Sequence, residues 1–183
     1  MNFMELATKR YSCRSYIDAP VEREKLISCV EAARMSPSAC NSQPWGFVVV
    51  DDPALAKDVS ECLRDKVLPI NGFTRNCNAF IVVVEEDANL SSKLGGRFKD
   101  QEYSQMDIGI AALGICLNAS DLGLGTCIIG WFDEKRLTKL LSVPSGKRIR
   151  LVISVGYPTD GAARAKVRKP LEEKVHFNRW NTK

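Results

Sequence analysis

The sequence predicts an α+β fold, and three observations carry that reading. Four short runs have strand patterns, at residues 45–50, 79–84, 126–129 and 148–155. Helical periodicities of 3 and 4 stand between them. The fingerprint of a doubly wound dinucleotide domain is missing. Gly123-x-Gly125 meets Ile128 where a third glycine belongs, and it follows a helix rather than a strand.

Taken in order, Leu26, Val30 and Ala33 repeat on one side of a helix over residues 21–35, with Glu22, Glu24 and Lys25 opposite. The run Trp45 to Val50 is continuously apolar and predicts a strand buried on both sides. Asp52 caps a helix with Pro53 at its first position and Leu55, Val59 and Cys62 inward. Residues 79–84 form a second fully apolar strand. The longest helix covers residues 103–122. Met106, Ile110, Leu113 and Leu117 repeat along it, while Gly109, Ala111, Ala112 and Gly114 place small residues on its other sides. A helix apolar nearly all round must be covered nearly all round, either by the rest of the chain or by a partner subunit.

After the strand at 126–129, Asp133 begins a helix with Leu137, Leu140 and Leu141 inward, and Pro144-Ser145-Gly146 turns the chain. Residues 148–155 then alternate. Ile149, Leu151, Ile153 and Val155 share one face; Arg148, Arg150, Val152 and Ser154 share the other. Gly156-Tyr157-Pro158 ends this strand. The tail around Val175, Phe177 and Trp180 carries apolar residues that should cover the chain's own core or a partner.

Composition bounds the function. With 183 residues, 45% hydrophobic and 26% charged, the chain suits one globular domain over 1–183. Net charge is +4, and its Lys and Arg residues mix with Asp and Glu along most of the chain, so no nucleic-acid partner is expected. The opening residues lack the apolar segment of a secretory signal, and no run reaches the roughly 18 apolar residues of a membrane span. The seven cysteines form no Cys-x-x-Cys pair and His176 is the one histidine, so a metal site is not expected. Cys29, Cys62, Cys116 and Cys127 read as small core residues, and a reducing cytoplasm is the expected compartment. His176 reads as a surface or tail residue. No Gly-x-Ser-x-Gly or Walker lysine is present.

The candidate chemistry lies in three places. The loop Ser36 to Pro44 has two prolines that limit the backbone, and Ser38, Asn41, Ser42 and Gln43 offer donors and acceptors suited to a planar polar heterocycle. Ordinary turn chemistry accounts for the same composition. Near the N-terminus, Arg10-Tyr11-Ser12-Cys13-Arg14 sets two guanidinium groups around a serine, and Arg forks suit phosphate. Arg164, Lys166, Arg168 and Lys169 form a second basic cluster ahead of Pro170-Leu171-Glu172-Glu173.

Arg10-x-Ser12-x-Arg14, Pro37-Ser38-Ala39-x-Asn41-x-Gln43-Pro44-Trp45, Gly123-Leu124-Gly125-Thr126-Cys127 ahead of Ile128-Ile129-Gly130, and Gly156-Tyr157-Pro158 followed by Arg168-Lys169-Pro170 resemble, in that order, the nitroreductase family of FMN-dependent oxidoreductases. The resemblance implies a mainly antiparallel or mixed central sheet flanked by helices, with a long buried helix at a homodimer interface. It implies bound FMN, NAD(P)H as electron donor, and a nitroaromatic, quinone or similar acceptor reduced by a ping-pong cycle. The flavin would carry the chemistry, with no catalytic side chain.

The resemblance places Arg10 and Ser12 nearer the phosphate, with Lys166 and Arg168 reaching it from the other end of the chain, and counts Tyr11 among the cofactor-binding residues. Arg14 would stand near the N1–C2 edge of the ring or the adjoining ribityl chain. Pro37, Ser38, Ala39 and Asn41 would come from the partner subunit. Ile128, Ile129 and Gly130 would pass their backbone along the ring, with Asn71 and Gln105 as further contacts. The segment 85–102, with Gly95-Gly96 in it, is short for the family and suggests a small lid over an open pocket. Reductive dehalogenation, flavin destruction and non-catalytic flavin storage remain as alternative activities for such a chain.

Overall fold

A computed structural model describes residues 1–65, 68–159 and 165–180. Its elements run α1 (Phe3–Lys9), α2 (Arg23–Arg34), β1 (Trp45–Val50), α3 (Pro53–Leu63), β2 (Ala79–Glu85), α4 (Leu90–Lys99), α5 (Tyr103–Asp121), β3 (Gly125–Ile129), α6 (Glu134–Leu140) and β4 (Arg148–Gly156). The strands form one sheet in the order β1-β2-β4-β3, and every neighbouring pair is antiparallel. This is the α+β arrangement expected, with helices on both faces.

The core has two halves, one on each side of the sheet. On one face Leu26, Cys29 and Ala33 of α2 and Ala111, Ala112 and Ile115 of α5 pack over Ile81, Val83, Ile153 and Val155. On the other, Val59, Cys62 and Leu63 of α3 and Leu137 of α6 cover Phe80, Val82 and Val152. Gly114 sets the α2–α5 approach, since a Cβ there would lie 3.1 Å from the carbonyl oxygen of Ala32. α3 begins as its sequence requires: the Asp52 carboxylate accepts from Leu55 N at 2.7 Å, with Pro53 at the first helical position.

Two strand expectations are corrected. Residues 46–49 of β1 are only half buried, because β1 is an edge strand paired with β2 alone. Ile149 does not share a face with Leu151. The β2–β4 register pairs Val83 with Leu151 but Val84 with Ile149, so Arg150 is an extra residue in a bulge. Ile149 therefore joins the α3–α6 half of the core and Leu151 the α2–α5 half.

Two helices have no counterpart in the sequence expectations. α1 is seven residues long, buries nothing, and is held at its start by a capping box in which Asn2 and Glu5 bond each other's backbone. α4 occupies the segment expected to be a small lid. Asn89 caps it, and Gly96 allows its last turn to close against the Gln101 carbonyl, 2.7 Å from where a Cβ would stand.

On α5, Ile108, Ala111, Ala112, Ile115, Cys116 and Ala119 are buried, whereas Met106, Ile110 and Leu113 are about half exposed. Among the described residues this second stripe has no cover. The same holds for Phe177 and Trp180 in the tail, each 80% exposed. Trp180 contacts the ring of His176, centroid to centroid 4.3 Å. Among the described residues all seven cysteines are free thiols and six are buried; burial pushes Cys29 and Cys77 up to about 12, which keeps them protonated core residues. No helix is long and apolar enough to cross a membrane, among the described residues.

Candidate functional site

The N-terminal segment that carries Arg10 and Arg14 lies across a floor of glycine. Gly125 of β3 and Gly156 of β4 face each other in register. A Cβ on Gly125 would stand 2.7 Å from the Cys13 side chain, and one on Gly156 would stand 2.8 Å from the Tyr16 ring. Only at these two missing side chains does the segment fit so low on the sheet. Cys13 N donates to Thr126 O at 2.8 Å, and Ser12 pairs with Thr126 in a parallel bridge. Tyr16 pins the far end, donating to Cys13 O at 3.0 Å and sharing a hydrogen bond with Ser154 Oγ at 2.9 Å. Burial keeps its phenol protonated. Tyr11 packs half-buried against the α3–α6 half of the core.

This anchorage leaves Arg10 half-buried and Arg14 exposed. Both guanidinium groups act on the Cys127 thiol, holding it down against the larger upward effect of burial. The C-terminal segment joins them. Lys166 Nζ donates to Ala7 O in α1 at 2.6 Å, and its pKa is driven below the ordinary lysine value by burial and then by the charges of Arg10 and Arg168. Three cations from the two ends of the chain thus stand close enough to repel one another. Among the described residues no carboxylate pairs with Arg10, Arg14, Lys166 or Arg168. Among the described residues Arg168 donates to the Val167 carbonyl at 2.8 Å. Mutual repulsion without a counter-charge is costly, and an anion removes the cost. Arg164 lies outside the described residues.

Arg14 lies beside Phe73. Its guanidinium carbon sits 6.0 Å from the centroid of Phe73, in the turn that begins at Asn71. Asn71 itself has left-handed backbone at φ 57°, and its side-chain amide donates to Leu63 O at 2.9 Å and Trp131 O at 3.0 Å. Those bonds tie the turn to the residue after Gly130. Ile128 is 43% exposed on β3, and Ile129 is buried. A Cβ on Gly130 would meet nothing within 4 Å. The structure therefore ranges Ser12, Ile128, Gly130 and Asn71 along β3, from Thr126 at its start to Trp131 beyond its end, with Arg10 and Arg14 acting on Cys127 between them and Lys166 and Arg168 beside Arg10.

The loop at 36–44 is elsewhere. Cys40, Asn41 and Gln43 all have positive φ, near 50°, a costly run for residues other than glycine. Its own polar groups hold it. Gln43 N donates to Ser38 Oγ at 2.9 Å, and Gln43 Nε2 to Asn41 Oδ1 at 3.1 Å. Ala39 N donates to both carboxylate oxygens of buried Asp107, at 3.2 and 3.1 Å. Asn89 adds a strap, giving its N–H to Ser42 Oγ and its side-chain amide to Cys40 O. Pro37 is exposed beside them.

The loop's anchor, Asp107, lies early on α5, whereas Arg10 acts on Cys116 nine residues later. At about 1.5 Å rise per residue the two anchors are roughly 13 Å apart along the helix. Gln105 lies at the loop's end of α5, exposed, 3.4 Å from the Glu102 carboxylate. The chain does not bring Pro37, Ser38, Ala39, Asn41 and Gln105 together with the basic pole.

Sequence reasoning missed Asp107, Asn89 and Phe73. Asp107 had a readable signal, a lone acid between Met106 and Ile108 in an otherwise apolar helix. Asn89 and Phe73 had none, since each acts on a segment distant in the chain.

Comparison with known proteins gives one consistent result. The family model described as "Nitroreductase family" matches residues 7–157. An oxygen-insensitive NADPH nitroreductase of Helicobacter pylori is 28% identical, covering 96% of this chain and 95% of its own length. The solved structure of an FMN-dependent nitroreductase from Clostridium difficile superimposes with a TM-score of 0.75 at 29% identity, covering 97% of this chain and 100% of that one. Iodotyrosine deiodinase 1 of Rattus norvegicus is 29% identical over 87% of this chain, which spans 63% of that protein.

Proposed function

The chain belongs to the nitroreductase family, and from that premise we propose that it is an FMN-dependent oxidoreductase drawing electrons from NAD(P)H. It passes them to a nitroaromatic, quinone or similar small acceptor, donor and acceptor using one site in turn. The observation that carries this reading is the cluster of Arg10, Lys166 and Arg168 with no described carboxylate to pair with it. Three cations fit one phosphate, as FMN has. When bound, FMN supplies the ring that accepts and gives up hydride.

The chain's own residues hold and bias that ring. Lys166, Arg10 and Arg168 grip the phosphate, with Ser12 beside them. Arg14, aligned with Phe73 and the Asn71 turn, supplies positive charge at the ring edge where reduction adds negative charge. The open backbone at Ile128, Ile129 and Gly130 lines the ring. Pro37, Ser38, Ala39 and Asn41, too far from the pole of their own chain, serve the site of a second copy. Residues 1–183 act as one FMN-binding domain in a homodimer. The exposed stripe Met106, Ile110 and Leu113 of α5 and the aromatic tail supply the apolar surface that a dimer buries. A reducing compartment such as the cytoplasm suits the free thiols.

The test is direct. Pigment released by heat from the purified protein should run as FMN. The holoprotein should oxidise NADH or NADPH in the presence of a quinone or nitroaromatic. Recovery of FAD, or failure to take up flavin on reconstitution, overturns the reading. An iodinated tyrosine in the acceptor panel separates dehalogenation from nitro or quinone reduction, and nucleotide oxidation separates both from a storage role.

A further inference from the structure

We propose that Arg64, Arg75 and Arg136 form a subsite for the 2′-phosphate of NADPH, so that this chain selects NADPH over NADH. The proposal rests on the oxidoreductase reading above and adds the identity of the donor.

The place is a groove of about 440 Å³ beyond the end of α3, lined by Arg64, Asp65, Leu68, Gly72, Arg75 and Arg136 among others. One wall is the turn that holds Asn71. Because Asn71 Nδ2 donates to the carbonyl oxygen of Trp131, and Trp131 follows Gly130, the groove opens next to the backbone assigned to the ring. A nucleotide with its nicotinamide near Gly130 has this groove within reach of its other end.

Charge in the groove is unbalanced. Glu61 is paired with Arg64. Asp65 accepts from Leu68 N at 3.0 Å and from the indole N–H of Trp131 at 3.4 Å. An adjoining groove shares Glu61, Arg64 and Arg75 and adds Lys57. Among the described residues four cations thus meet two carboxylates that already have partners. Arg64 also keeps Nε buried with no acceptor among the described residues. Arg75 and Arg136 are exposed in the groove with no carboxylate partner among the described residues, and guanidinium forks left so favour an anion.

The chemistry discriminates between the two donors. A 2′-phosphate is a dianion at neutral pH and offers three acceptor oxygens to guanidinium forks, whereas NADH presents a hydroxyl at the same position. Trp131, 58% exposed, has its N–H committed to Asp65 and leaves its apolar face free to take the adenine.

Two measurements on the FMN-loaded protein decide the matter. Titration calorimetry with 2′,5′-ADP should show binding that 5′-AMP does not. Steady-state kinetics should give a kcat/KM for NADPH at least about tenfold above that for NADH. Arg75→Gln and Arg136→Gln, both at exposed positions, should each lower the NADPH-to-NADH ratio about tenfold and weaken 2′,5′-ADP. Arg64 is left unchanged because its burial makes it a risk to folding. A ratio at or below one in the parent protein, equal binding of the two nucleotides, or variants that lower both donors alike would overturn the subsite. NADH oxidation without 2′,5′-ADP binding rejects the subsite and leaves the oxidoreductase reading intact. Binding of 2′,5′-ADP that the variants abolish, with neither donor oxidised, does the opposite.

Discussion

The basic pole and the loop at 36–44 are both built from polar side chains, yet they are finished to different degrees. In the loop nearly every polar group has a partner within the chain. Asp107, Asn89, Ser38 and Gln43 hold three positive-φ residues in place. At the pole, Arg10, Lys166 and Arg168 stand together without a described counter-charge, and Lys166 is driven below its ordinary pKa. The difference teaches where each spends its stability. The loop is a rigid surface made in advance, for something that comes against it. The pole is an incomplete structure whose missing part is an anion.

The sharpest way to break this comparison is Lys166→Ala. If the pole waits for a phosphate, FMN affinity should fall about 10- to 100-fold, equivalent to roughly 1.5–3 kcal/mol for a charge-assisted contact. The melting temperature of the flavin-free protein should hardly move. Fluorescence titration and a thermal melt on the same samples check both. A large loss of stability without flavin would make Lys166 a structural strap between the C-terminal segment and α1.

Asp107→Ala should behave in the reverse manner. It removes the acceptor of Ala39 N and frees the strained turn, so the flavin-free protein should lose about 1–3 kcal/mol in denaturant unfolding. Flavin grip at the pole should change less than in Lys166→Ala. An unchanged unfolding midpoint would show that the loop does not depend on α5 for its shape.

Arg14 divides the pole itself. Placed by Phe73 rather than by Lys166, it should set potential more than affinity. Arg14→Gln should lower the flavin midpoint by a few tens of millivolts, about 30 mV for each 1.4 kcal/mol lost. Spectroelectrochemistry measures it. If the potential holds and only binding weakens, Arg14 belongs with Arg10 and Lys166.

The smallest effect is expected in a clamp outside both regions. Tyr157 donates to the Glu22 carboxylate at 2.6 Å, and Lys25 reaches both. The Tyr157 bond, foremost, lowers Glu22 from 4.5 to about 2. A carboxyl depressed in the folded state adds stability above its ordinary pKa and loses it as pH falls through about 2. Tyr157→Phe should therefore flatten the decline in stability between about pH 5 and 2, with little change in flavin binding. Denaturant midpoints across that range, parent against variant, test it.

Much of the fold was legible because local signals agreed. The helix at 103–122 matched α5, residues 79–84 matched all but the last residue of β2, and Asp52-Pro53 opened α3 where a cap and a first-position proline belong. α1 and α4 were missed for a shared reason. One is too short to show a period, and the other contains Gly95-Gly96, so neither carries a strong local preference and contact holds both. The bulge at Arg150 was invisible because alternation within a strand cannot report an extra residue against its neighbour.

By itself the sequence determined which residue types could do the work: guanidinium groups near the N-terminus, cations near the C-terminus, and a proline-bounded polar loop. Residue type and near spacing are local facts. Only the tertiary structure decided their grouping. It laid the segment carrying Arg10 and Arg14 on Gly125 and Gly156, drew Lys166 across to α1, and kept the 36–44 loop at the other end of α5. Those choices depend on close approach between segments up to about 160 residues apart, where a missing Cβ or a single carbonyl fixes the fit, and no local pattern encodes that distance.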